Sequence, residues 1–146
     1  MKSNASGIAA LETYRKVGIQ SEVETASPHR LIQMLLDGAM TKIAAARGHM
    51  ERGNLTGKGE NIGWTISIIA GLKGSLNLDA GGILAGNLDR LYEYMLNCLS
   101  EANISNDIAK LDEVSELLGQ ISSGWQGIKD QVDPQAAPEA VSHAAS

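Results

Sequence analysis

Residues 111–132 read LDEVSELLGQISSGWQGIKDQV, and in this stretch Leu111, Val114, Leu118, Ile121, Trp125, Ile128 and Val132 recur at alternating spacings of three and four. That is the period of an α-helix sustained over six turns, and on a wheel of about 100° per residue the set fills an arc of roughly 120°. A helix with one such stripe must bury it against other elements. Working upstream, residues 83–102 carry Leu84, Leu88, Leu91, Met95 and Leu99 on one face, and the turn at 103–106 lets Ser105 or Asn106 cap the helix that follows. Residues 58–77 place Ile62, Ile66, Ile69, Leu72 and Leu76 in register, with Gly81-Gly82 separating them from the next helix. Before these, Ser27 followed by Pro28 is a strong helix start. The hydroxyl caps free N–H groups, and proline at the first helical position lacks the donor that would otherwise be orphaned. This helix runs to about Arg52, with Gly53 as the residue that ends it.

Four helices with short connections predict an all-α fold, an antiparallel up-down four-helix bundle over residues 27–132. Residues 1–26 have no sustained period and read as a flexible N-terminal arm with one short helix around 11–17. Residues 133–146, rich in Ala, Pro and Ser, read as a disordered tail. Composition agrees, since the 146 residues include no Phe, two Trp and three Tyr, whereas strands favour aromatic and β-branched residues.

The charge balance narrows the function. Twelve Lys+Arg against 17 Asp+Glu give a formal net charge of -5 with no basic cluster, which argues against nucleic acid as a partner. The uncharged stretch 61–72 is far short of the roughly 20 residues that span a bilayer, so no membrane insertion is expected. Residues 5–11 make an unpersuasive signal peptide, and the single Cys98 suggests no disulfide framework, so the chain reads as cytosolic.

Catalytic chemistry finds little footing. There is no Glu-x-x-His pair for a di-iron bundle, and His29, His49 and His143 fall at a helix start, near a helix end and in the tail. The glycines at 57, 59, 81 and 82 lack the preceding strand of a phosphate-binding loop. Cys98 lies near the apolar face of its helix and reads as a small buried hydrophobe. No enzyme, cofactor or metal site is expected. One rival is His49-Met50-Glu51-Arg52-Gly53, similar to the His-x-x-Lys/Arg-Gly pattern of histidine phosphotransfer bundles, although Gly53-Asn54 looks like a helix stop.

Apolar surface beyond the needs of a core is the positive signal. Leu31, Ile32, Met34, Leu35, Leu36, Ala39 and Met40 spread over roughly 240° of the first helix. On the second, Trp64 and Ile68 flank the isoleucine stripe and are expected as an exposed pair. Such surplus marks a partner site or a place where the arm docks.

The blocks Tyr14-Arg15-Lys16-Val17, Thr25-Ala26-Ser27-Pro28-His29-Arg30-Leu31-Ile32, Met34-Leu35-Leu36-Asp37-Gly38-Ala39 and Asn87-Leu88-Asp89-Arg90-Leu91-Tyr92-Glu93-Tyr94-Met95 resemble the FliS family of flagellar secretion chaperones. The likeness covers about residues 14–128, with Leu36 where the family commonly has Tyr and an apparent insertion at 18–22. It implies a cytosolic helical bundle that binds the disordered C-terminal segment of flagellin, prevents premature polymerisation and keeps the client competent for type III export. It implies no cofactor. The flagellar export apparatus, an anti-sigma factor and a co-chaperone are further partners compatible with it. Candidate partner-binding residues are Tyr14, Val17, Leu31, Met34, Leu36, Met40, Trp64 and Ile68.

Overall fold

The expected start of the first helix is present in the computed structural model, which describes residues 27–127. The Ser27 hydroxyl accepts a hydrogen bond from the Arg30 N–H at 3.1 Å, and α1 runs Pro28–Glu51. Its far end is a Schellman closure. Gly53 takes a left-handed φ of 74°, the Asn54 N–H donates to the His49 carbonyl at 2.8 Å, and the Gly53 N–H donates to that of Met50 at 3.2 Å.

The second helix begins earlier than its glycines suggest. The Asn54 side chain accepts from the Gly57 N–H at 3.1 Å, and this cap starts α2 at Leu55–Gly74 rather than at 58. Asn77 caps the next element in the same way, accepting from the Ala80 N–H at 3.0 Å. As a result α3 spans Leu78–Ser105, with a single turn ahead of the break at Gly82, where φ is 59° and ψ is -137°. The expected start at Ile83 is therefore the second part of α3. Asn106, left-handed at φ 51°, ends α3, and Asp107 caps α4 (Ile108–Gly127) by accepting from the Ala109 N–H. Neither Ser105 nor Asn106 does so, because the left-handed residue is already used to turn the chain.

Each helix packs against two neighbours in a ring, α1 on α2, α2 on α3, α3 on α4 and α4 on α1. Side-chain ties fix the antiparallel directions. His29 at the start of α1 meets Trp125 near the end of α4, and Arg47 near the end of α1 meets Asp112 near the start of α4. Lys58 at the start of α2 reaches the end of α3, and Lys73 at the end of α2 pairs with Asp89. The all-α four-helix bundle is thus present among the described residues.

The core holds Leu35, Leu36, Ile43, Ile62, Ile69, Leu72, Tyr92, Met95, Leu99, Leu111, Val114, Leu118 and Trp125, each worth roughly 1.5–3 kcal/mol or more of transfer free energy. Ile66, Leu88, Leu91 and Ile121 are partly buried against it, and Cys98 is buried. Leu84, expected on the inner face, is 47% exposed: it stands just past the Gly82 break at the start of the second part of α3, a stretch in which Ala85 is the only buried residue before Tyr92. The expected arm and short helix, the expected tail, and Ile128 and Val132 lie outside the described residues. Among the described residues no helix is long and apolar enough to cross a membrane.

Candidate functional site

The surface expected from the two apolar surpluses is smaller than its residues suggest. Leu36 is fully buried in the core, Ile68 is buried there at 3% exposure, and Met34 is also buried. The exposed Trp64–Ile68 pair therefore does not form. The reason is geometric: α1 lies between α2 and α4, and α2 lies between α1 and α3, so each buries a wider arc than a helix with one neighbour. Leu31, Met40 and Trp64 remain half-buried.

Trp64 carries the Lys42 ammonium 5.4 Å from its ring centre, an arrangement across the α1–α2 seam that is worth about 0.5–1 kcal/mol at a partly open site. Leu31 lies on the same side of α1 as Lys42. Met40 does not, since two residues along a helix are about 160° apart on the wheel, and it faces toward α4. Tyr14 and Val17 lie outside the described residues. Leu31 and Trp64 thus lie on one side of the α1–α2 pair but about 16 Å apart along it, with Met34 buried and Met40 on another seam.

Apolar exposure that the periodicity missed lies elsewhere. Leu78, Ile83 and Leu84 stand exposed on either side of Gly82, and Leu55 and Ile104 at the opposite end of the bundle. The Gly81-Gly82 pair was the available signal. A glycine-only backbone conformation redirects side chains in a way no helical wheel includes.

The polar residues hold the frame. Trp125 Nε1–H donates to the His29 carbonyl at 3.0 Å, His29 Nε2–H donates back to the Trp125 carbonyl at 2.7 Å, and the two rings stack with centres 4.9 Å apart. The buried Lys58 ammonium donates to the Asn103 carbonyl at 2.8 Å and to Asn106 Oδ1 at 2.7 Å, placing a cation at the negative end of α3. Gln33 Nε2 donates to Ser122 Oγ at 2.7 Å across the α1–α4 seam. The Tyr94 hydroxyl donates to Glu113, and this bond, with lesser help from the neighbouring Cys98 thiol, raises the phenol above its ordinary range.

His49 is arranged against phosphotransfer. Its Nδ1 accepts from Asn54 Nδ2 at 3.1 Å and lies 3.3 Å from an Arg52 guanidinium nitrogen. Asn54 Oδ1 is already committed to the Gly57 N–H, so the amide orientation is set and only donors face Nδ1. The neutral ring then carries its proton on Nε2, removing the lone pair a nucleophile needs there.

A bundle of this kind hosts many functions, so the assignment rests on the whole sequence. The family model described as "Flagellar protein FliS" matches residues 10–132. This chain belongs to the FliS family. The flagellar secretion chaperone FliSB of Pseudomonas aeruginosa is 54% identical over 119 residues, which cover 82% of this chain and 94% of the relative. The flagellar secretion chaperone FliS of Salmonella typhimurium is 42% identical over 91% of this chain and 94% of its own. That of Vibrio cholerae is 39% identical over 86% and 90%. The FliS match encloses the four helices and extends to residues 10–26, so Tyr14 and Val17 fall inside it.

Proposed function

We propose that this FliS family member works in the cytosol, where it binds the disordered C-terminal segment of flagellin, keeps it from polymerising and holds it competent for flagellar type III secretion. The match over residues 10–132, together with a relative 54% identical that is named a flagellar secretion chaperone, carries this reading. The client folds as it binds, laying an amphipathic helix on apolar surface, so the cost of ordering limits affinity per unit area. Leu31 and Trp64 on the α1–α2 face, Met40 on the α4 side and Tyr14 and Val17 of the arm are the contacts assigned to it. Met34, Leu36 and Ile68 are buried and act through packing rather than by touching the client.

The test is a titration with a peptide covering roughly the last 40 residues of the cognate flagellin, read by calorimetry and circular dichroism. Heat of binding with a gain in helicity is expected. Neither signal at high micromolar concentration refutes the reading. Tyr14→Ala is expected to change peptide affinity more than it changes the melting temperature; equal affinity removes the arm from the mechanism.

A further inference from the structure

The third helix is unevenly anchored. Between residues 78 and 91 the only buried side chain is that of Ala85, whereas residues 92–102 bury Tyr92, Met95, Cys98, Leu99 and Ala102. The seams differ in the same direction. The α1–α4 seam is tied near one end by His29–Trp125 and Gln33–Ser122 and near the other by Arg47–Asp112. The α2–α3 seam is tied by Lys58 at one end and by Lys73 with Asp89 at the other. Across α3–α4, the ties are Tyr94–Glu113, Cys98–Glu113 and Glu101–Lys110, all in the half nearest the α3–α4 turn. Among the described residues no hydrogen bond or ion pair joins 83–91 to α4. That half of the seam is lined by the partly buried Leu88, Leu91, Leu117 and Ile121, with Leu84 exposed at its edge. Gly82, in a conformation essentially reserved for glycine, stands at the head of the same segment.

We infer that residues 78–91 form a separate unit of low local stability that swings away from α4, pivoting near Tyr94. Lys73 holds the segment on α2 through Asp89, so the motion opens the α3–α4 seam and leaves α2–α3 in place. Few buried apolar contacts on one part of a helix and many on the other are the conditions under which a helix opens in two steps. Opening exposes the leucines and Ile121 of the seam, and this consequence holds whatever the client proves to be.

Native-state amide hydrogen exchange on the full chain tests it. Amides of 84–91 are expected to exchange faster than those of 95–102 by about tenfold or more, with a shallow dependence on urea that marks a local opening. Gly82→Ala is expected to speed exchange in 84–91 and leave 95–102 and α1 unchanged. Equal rates and equal urea slopes along α3 overturn the inference, as does a Gly82→Ala effect spread evenly over the helix.

Discussion

Gly57 offers a sharp test of how α1 and α2 meet. A Cβ added there would lie 2.6 Å from His49 Nδ1 and 2.7 Å from its Cγ. The ring cannot swing aside freely, because Asn54 holds Nδ1 and the Schellman closure fixes the turn beneath it. In an ordinary helix Gly→Ala gains up to about 1 kcal/mol from backbone entropy, and overpacking costs about 1–3 kcal/mol. Gly57→Ala is therefore expected to lose about 0–3 kcal/mol on balance. In a His49→Ala background the obstacle is gone and the same change is expected to stabilise by up to about 1 kcal/mol. Urea melts of the wild type, both single variants and the double variant give the coupling, expected at about 1–3 kcal/mol. A coupling below about 0.5 kcal/mol would show that the imidazole is not what requires glycine at this position.

Other expectations follow from burial and bonding. Trp125→Ala is expected to cost about 3–5 kcal/mol and Trp64→Ala less than half of that, since only the former fills the core; denaturant melts in the reverse order refute the assignment. Lys58→Met strips the Asn103 carbonyl and Asn106 Oδ1 of their donor, with an expected loss of about 1–3 kcal/mol. Because the ammonium is buried and its acceptors are uncharged, that loss should be the same at low and high salt. The Tyr94 phenol, raised above its ordinary 10.0, keeps its proton in the fold at pH values where the unfolded chain releases it. Its stabilisation is complete below about pH 10 and declines above, so the wild type should lose more stability than Tyr94→Phe on going from neutral to strongly alkaline pH; parallel losses in the two proteins contradict this.

Local signals were legible and distant pairings were not. Ser27-Pro28, Gly53 and the stripe from Leu111 to Trp125 each act within one helix, and each is found where the sequence predicts it. The start of α2 was displaced because Gly57 and Gly59 weaken helix propensity, while the Asn54 cap that overcomes them depends on a turn closed by α1. Leu36 and Ile68 read as surplus because a wheel shows how wide an apolar arc is and not how many neighbours will cover it. Leu84 failed in the opposite sense, since it sits on the inner arc but at the start of the helical stretch, and a wheel does not show how far along its axis a helix is covered. The buried role of Lys58 had no sequence signal, as its acceptors lie 45 and 48 positions away. The family blocks around Thr25–Ile32 and Asn87–Met95 were legible as a resemblance, and the comparison with whole relatives supports the same family.

The stacked pair His29 and Trp125 has a topological consequence. It brings the first and last turns of the described bundle within hydrogen-bond reach, so the four helices form a closed circuit that the chain happens to enter at Ser27 and leave after Gly127. Packing does not depend on where that circuit is cut. A short peptide bridging 127 to 27 would complete the loop and free the 75–77 turn to become the new ends, giving a permuted chain with every seam intact. Because the natural cut lies between α4 and α1, Ser27 and Gly127 stand at the same end of the described bundle, and probes attached at these two positions report on one neighbourhood.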